Sequence, residues 1–264
     1  MLVIKNLEKT FFPGTINAKK ALRGIDLHLN PGDFVTIIGG NGAGKSTMLN
    51  AIAGVFPIDE GSIHIDGVDI THLPEYKRAK YIGRVFQDPM TGTAGTMEIQ
   101  ENLAIAARRG QRHRLGWGIK RQEKKRYKEI LSVLDLGLEE RLTAKVGLLS
   151  GGQRQALTLL MATLTQPKLL LLDEHTAALD PKTAAKVLEI TDRIVEKDHL
   201  TTLMITHNMK DAIAHGNRLI MMHEGRIIID VRGEEKKKLT VEDLLAMFAK
   251  ASGSEFASDR AMLS

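Results

Sequence analysis

The stretch Gly39-Gly40-Asn41-Gly42-Ala43-Gly44-Lys45-Ser46-Thr47 holds the residue types that grip a polyphosphate. Its spacing is that of the phosphate-cradling loop G-x-x-x-x-G-K-[ST]. The glycines allow backbone N–H groups to turn inward around phosphate oxygens, and a helix start adds partial positive charge. Lys45 is expected to reach the β- and γ-phosphates and the Ser46 hydroxyl to ligate Mg²⁺. Context separates such a loop from a chance match. Phe34-Val35-Thr36-Ile37-Ile38 before it reads as a buried strand, and Thr47-Met48-Leu49-Asn50-Ala51-Ile52-Ala53 after it as a helix. The chain is thereby expected to bind a nucleoside triphosphate.

Three downstream segments carry complementary chemistry. Leu149-Ser150-Gly151-Gly152-Gln153 is a second glycine turn, followed by a helical pattern of Ala156, Leu157, Leu160, Met161 and Leu164 that Pro167 ends. It again aims N–H groups and a hydroxyl at an anion. Leu169-Leu170-Leu171-Leu172-Asp173-Glu174 is a buried strand with two carboxylates at its carboxyl end, where parallel α/β sheets place ligands. Successive side chains leave a strand in opposite directions, so one carboxylate can face a metal and the other an attacking water. Leu203-Met204-Ile205-Thr206-His207 is a further apolar strand ending in histidine, a residue that by itself reads as a solvated cap.

Taken in order, these segments make the chain resemble the nucleotide-binding subunit of an ATP-binding cassette (ABC) transporter, over nearly its whole length. Gln87, in Arg84-Val85-Phe86-Gln87-Asp88, sits where that family has its Q-loop glutamine, and Ala178-Leu179-Asp180 matches its D-loop. The resemblance implies an α/β fold: a P-loop NTPase (RecA-like) core with an antiparallel β subdomain and an inserted helical subdomain. It implies ATP and Mg²⁺ as cofactors, and a head-to-tail dimer in which Lys45 of one copy and Ser150-Gly151-Gly152-Gln153 of another enclose each nucleotide. The second cassette is another copy of this chain or a paralogue. Glu174 would polarise the attacking water, Asp173 would hold Mg²⁺, His207 would contact the γ-phosphate, and Gln87 would link the metal to a membrane partner. Asp180 joins the nucleotide-binding set. Phe11 stands where the family stacks an aromatic ring on adenine; Phe12 could do so instead, and a core phenylalanine under a loop is an equal reading. His175 departs from the family, which commonly has proline there, and a backbone variation is favoured over a catalytic role.

The implied partners are an integral membrane permease and a solute-binding protein, with the cassette peripheral on the cytoplasmic side of the membrane. The segment 173–180 resembles that of cassettes serving binding-protein-dependent importers, including ones proposed for amino acids. A cytoplasmic ATPase that regulates a membrane complex without transport is the alternative. Nucleic acid is not expected: no second cassette, coiled-coil interruption or cysteine zinc site, as in relatives with such roles, is present. Pro89-Met90-Thr91-Gly92-Thr93-Ala94-Gly95-Thr96-Met97 follows Gln87 where the family meets its permease, and reads either as a receiving groove or as a flexible loop.

The elements that must position these residues are legible in outline. With 264 residues and 43% hydrophobic content the chain can bury a large core, the absence of cysteine rules out disulfides and thiolate metal sites, and no apolar run approaches the roughly 20 residues that span a bilayer. Residues 1 to about 36 and about 60 to 70 alternate strand patches with turns, suiting the antiparallel subdomain. From about 88 to 148 the pattern is helical, with Tyr127, Ile130, Leu131 and Leu134 on one stripe and Gly137 as the stop. Beyond 149 strands and helices alternate. Thr240 is expected to cap a last helix with Val241, Leu244, Leu245 and Phe248 on one face. One domain is expected over 1–250, then a frayed tail over 251–264. Charge is uneven: residues 108–128 carry an excess of nine positive charges in a chain whose net charge is +5. That stretch reads as a solvated helix face, as an attraction to anionic lipid headgroups, or as a nucleic-acid contact near Trp117 and Tyr127.

Overall fold

The computed structural model describes residues 1–111 and 118–252, so Arg112, Arg114 and Trp117 of the basic stretch and all but the first two residues of the expected tail lie outside the described residues. In chain order the elements are β1 (Leu2–Phe11), β2 (Lys19–Leu29), β3 (Phe34–Ile38), α1 (Lys45–Ala53), β4 (Glu60–Ile65), β5 (Val68–Asp69), α2 (Glu75–Arg78) and β6 (Ile82–Val85). Then come α3 (Ile99–Ala107), α4 (Arg121–Ser132), α5 (Gly151–Thr163), β7 (Leu169–Asp173), α6 (Pro181–Lys197) and β8 (Thr201–Ile205). The chain closes with α7 (Met209–Ala214), β9 (Arg218–His223), β10 (Arg226–Arg232), α8 (Gly233–Lys237) and α9 (Val241–Ser252).

Two sheets result. An antiparallel sheet has the order β2-β1-β4-β5, and a second sheet has the order β10-β9-β3-β8-β7-β6. In the second, β9, β3, β8, β7 and β6 run parallel, and only β10 is antiparallel to its neighbour. The central strands are apolar on both faces because both faces are covered. Val35 and Ile37 of β3 and Leu169 and Leu171 of β7 join the core beneath the antiparallel sheet and α1. Leu170 and Leu172 point the other way, into a core made with α3, α4, α5 and α6. A third cluster seats Leu244 and Phe248 of α9 against Ile229 and Val231 of β10, and the Thr240 Oγ accepts from the Asp243 N–H at 3.1 Å as the cap expected there.

The helical segment differs from its expected bounds. Its first helix starts at Ile99, because Pro89, Gly92 and Gly95 favour turns before it. Asn102 then fastens that turn: its side chain accepts from the Ala94 N–H at 2.8 Å and donates to the Ala94 and Glu98 carbonyls. The backbone of Gly147 donates to the Gly95 carbonyl at 2.8 Å, and that of Val146 to Met97 at 3.0 Å. Helix α4 stops at Ser132 rather than at Gly137. Asp135 takes a left-handed φ of 54°, and Gly137 at 68° opens a short 3-10 turn over Leu138–Glu140. Tyr127, Leu131 and Leu134 are buried as the stripe required.

Candidate functional site

The carboxyl ends of parallel strands β3, β7 and β8 set the site. Ser46 follows β3 through the glycine loop, Asp173 ends β7, and His207 follows β8. Parallel register aligns them: Leu172 lies opposite Met204 and Asp173 opposite Ile205. The glycines of the loop are required by geometry. Gly44 caps α1 at φ 100°, and a Cβ there would stand 2.8 Å from the Ala21 carbonyl oxygen; at Gly39, with φ 148°, it would collide with the Met222 carbonyl. Any larger residue would force the loop off strand β9 or off β2.

Residues Asn41, Gly42, Ala43, Gly44, Lys45, Ser46 and Thr47 line a cleft of about 280 Å³ together with Phe11, Lys19, Ala21 and Glu174. Lys45 is buried, and its ammonium donates to the carbonyls of Gly39 and Gly40 at 2.7 and 3.2 Å. Burial lowers its pKa, and the nearby charges of Glu174 and Asp173 oppose that. The Ser46 hydroxyl donates to Asp173 Oδ1 at 3.1 Å. Desolvation raises the Asp173 pKa; the Ser46 hydrogen bond and the Arg84 charge pull it back only in part. Glu174 Oε1 stands 2.6 Å from His207 Nε2. Glu174 adopts φ 48°, a left-handed backbone that is uncommon for a residue with a side chain and turns its carboxylate toward the cleft instead of continuing the strand. It also lines a second, larger cleft of about 720 Å³ between α6 and α7, shared with His207, Asp192, Asp211 and His215.

Such a cleft can seat a polyphosphate against N–H groups and a cation. A hydroxyl and a carboxylate in hydrogen-bond contact suit a hard divalent cation that takes oxygen ligands, so Ser46 and Asp173 fit Mg²⁺. Glu174, which lines both clefts, and His207, which lines the larger one, stand in hydrogen-bond contact, an arrangement that suits proton transfer.

Several of the expected residues stand elsewhere. Gln87 is exposed and is absent from the lining of the cleft. Ser150, Gly151, Gly152 and Gln153 form the N-terminus of α5, where the Ser150 Oγ accepts from the Gln153 N–H at 3.3 Å and the Gln153 side chain accepts from the Ser150 N–H at 3.2 Å. Gly152 has a packing reason of its own, since a Cβ would strike Thr183 of α6. Asp180 caps α6, accepting from the Thr183 N–H at 3.1 Å. Hydrogen bonding from the Thr183 side chain, and then from its backbone, holds the Asp180 carboxyl below the usual range. Within one chain, then, this second glycine turn does not meet the first. Phe11 does line the cleft, with its ring edge against Phe56 at 5.2 Å, whereas Phe12 is 66% exposed and outside the lining.

His175 is sealed into the core at 2% exposure, facing away from the cleft. Its Nε2 lies 3.1 Å from the Thr191 Oγ, and Thr191 donates its own proton to the Val187 carbonyl at 2.8 Å. The imidazole must therefore carry its proton on Nε2, leaving Nδ1 as an unpartnered buried acceptor. Burial, then the charge of His215, pushes its pKa down to about 4. Although it adjoins Glu174 in sequence, the turn after β7 seals it in the core, outside the lining of either cleft.

Arg84 was missed. It lies 3.7 Å from Asp173 Oδ2 and donates to the Asn50 side chain at 2.5 Å, so its charge offsets that of the Asp173 carboxylate. An arginine inside the buried strand Ile82-Gly83-Arg84-Val85 was the available signal, since buried charges need partners.

Comparison with known proteins gives concordant matches. Residues 22–177 fit the family model described as ABC transporter. The chain is 46% identical over 248 residues to the tyrosine transport ATP-binding protein of Clostridioides difficile, covering 94% of this chain and 98% of the relative. It is 33% identical to the methionine import ATP-binding protein MetN of Bartonella henselae, over 88% of this chain but 65% of that longer protein. Among solved structures it resembles the ATP-binding cassette MJ0796, determined as a dimer in a post-hydrolysis state with ADP and Pi, at a TM-score of 0.75 and 30% identity over 88% of this chain and 98% of that one.

Proposed function

The chain belongs to the ABC transporter family as an ATP-hydrolysing subunit, and on that premise we propose that it drives the import of a solute, of the amino-acid class, through a separate membrane permease. The observation that carries the amino-acid reading is its 46% identity, over nearly the full length of both chains, to a tyrosine transport ATP-binding protein. The methionine import relative supports the inward direction and the same solute class. No described helix is long and apolar enough to cross a membrane, so the membrane path is assigned to a partner. The permease in turn is supplied by a solute-binding protein.

Two copies, or this chain and a paralogue, close on two ATP molecules. The cassette MJ0796 was solved as a dimer, and the separation of Ser150–Gln153 from the phosphate loop within one chain calls for such an arrangement. In it Lys45 gives up the Gly39 and Gly40 carbonyls for phosphate oxygens, and Phe11 stacks on the adenine from the rim of the cleft. Ser46 and Asp173, with Gln87, would hold Mg²⁺, which would supply positive charge against the phosphates. Glu174 orients the attacking water and accepts its proton, while His207, 2.6 Å away, donates toward the γ-phosphate. Asp180, at the start of α6, aligns the facing cassette.

The test is capture of the Glu174→Gln protein from membranes with ATP present, followed by reconstitution. A multi-span permease should co-purify, and that permease reconstituted with the wild-type chain should take up labelled tyrosine or methionine in an ATP-dependent way. Copurification of a membrane complex with no solute uptake would replace transport by regulation. A permease active on another solute class would leave import standing and remove the amino-acid assignment.

A further inference from the structure

Helix α4 carries more charge than its fold requires. Arg121, Lys124, Lys125 and Lys128 occupy positions i, i+3, i+4 and i+7 and all four are exposed, so they form one stripe about 10 Å long. Tyr127 and Leu131, beside Lys124 at the edge of the stripe, attach the helix to the core, so the stripe flanks the buried seam. Of the four cations only Lys128 has an ion pair among the described residues, at 3.3 Å to Glu140, where both side chains are at least half exposed and the pair contributes little. Glu123, the acid within the stripe's own span, is directed instead to Arg108 at 3.1 Å. The stripe thus stabilises nothing within the chain, and like charges at helical spacing cost helix stability.

Its position gives it a counterpart. Lys124 also lines a cleft of about 390 Å³ with Met97, Ala104, Ile105 and Arg108, next to the pinned turn 89–97, and Ile105 is 57% exposed there. A membrane-embedded partner received in that cleft would bring the bilayer surface to the same side of the molecule as the stripe. We infer that the basic stripe of α4, Arg121, Lys124, Lys125 and Lys128, is a contact for the anionic headgroups of the membrane surface. A lipid surface suits it better than a protein or a nucleic acid. The charges are spread along the helix, and among the described residues α4 presents no exposed aromatic on which a base could stack. The contact adds to permease docking and orients the cassette, and it holds whatever solute is carried.

The experiment uses the purified chain alone, sedimented with phosphatidylcholine vesicles containing or lacking phosphatidylglycerol, at low and high salt. The chain should partition onto the anionic vesicles only, with salt weakening the binding. Replacing all four stripe residues by Gln should reduce binding by roughly fivefold per cation removed. A control replacing the exposed Lys77, Lys182, Lys197 and Lys238 removes the same charge elsewhere and should keep most of the binding. Both variants should retain ATPase activity and unfold at the wild-type temperature, which excludes misfolding as the cause of any loss. Equal loss in the two variants would reduce the effect to net charge and overturn the inference. So would undiminished vesicle binding by the stripe variant, or a stripe-dependent affinity for an oligonucleotide that anionic vesicles do not match.

Discussion

Glu174 and His175 are consecutive residues, yet the carboxylate of the first stands 2.6 Å from His207 in an open cleft while the imidazole of the second is closed beneath the sheet against Thr191. The two sides of this turn are built on different rules. On the cleft side the paired Glu174 and His207 are left within reach of solvent, at 14% and 35% exposure. On the buried side the histidine is neutral and one hydrogen bond anchors the turn to α6. The left-handed φ of Glu174 produces the division, because it breaks the strand alternation at the point where chemistry begins. The buried anchor and the reactive carboxylate are thus separable by substitution, and the expected effects fall in a definite order.

The largest effect belongs to Glu174→Gln. The variant keeps the size and a hydrogen-bonding group but cannot accept a proton, so steady-state ATP hydrolysis should fall by roughly 10²- to 10⁴-fold while ATP still binds. Phosphate release assays beside nucleotide-binding titrations check both halves, and turnover near wild type would move the catalytic role away from this side of the turn. Next comes Lys45→Ala, which removes charge-assisted hydrogen bonds to phosphate of the order of 1.5–3 kcal/mol. ATP affinity should weaken roughly ten- to a hundredfold by calorimetry. Unchanged affinity would mean that the carbonyl-bonded lysine is a structural brace for the loop alone.

The cleft side was far more legible in the sequence than the buried side. Lys45, Ser46, Asp173 and Glu174 announce themselves because glycine, hydroxyl and carboxylate at the ends of apolar strands serve few purposes besides binding; His207 by itself read as a solvated cap, and parallel register brings it beside Glu174. Gly152 and Asp180 show the limit of that legibility: the spacing marked them for nucleotide, and within the chain one makes room for Thr183 while the other caps α6. Both uses fit the same residue types, so type and spacing could not separate them. The turn before α3 and the stop of α4 ahead of Gly137 were not legible, because Asn102 and the left-handed Asp135 act through tertiary contacts and local backbone that periodicity does not encode. His175 and Arg84 are hidden for one shared reason. Their roles follow from what lies across the fold, Thr191 for the first and Asp173 for the second, and no local pattern names those partners.

The smallest effect lies on the buried side and is read in stability rather than turnover. His175→Phe keeps a flat ring in the core without its titrating nitrogen, and ATPase activity should stay within a few-fold of wild type. The pH dependence should change. The folded-state pKa of about 4 lies below the unfolded value near 6.5, so between these values the unfolded chain binds a proton that the folded chain refuses. Stability contributed by the neutral, buried imidazole is therefore intact above pH 6.5 and is lost as the pH falls toward 4, beyond which the loss levels off. Between pH 7 and 5 wild type should lose on the order of 2 kcal/mol more than His175→Phe, measured by urea unfolding at both values. Parallel pH profiles for the two proteins would show that His175 charges freely inside the fold. A loss of hydrolysis as deep as that of Glu174→Gln would erase the distinction between the two sides of the turn, since it would place the buried ring in the reaction itself.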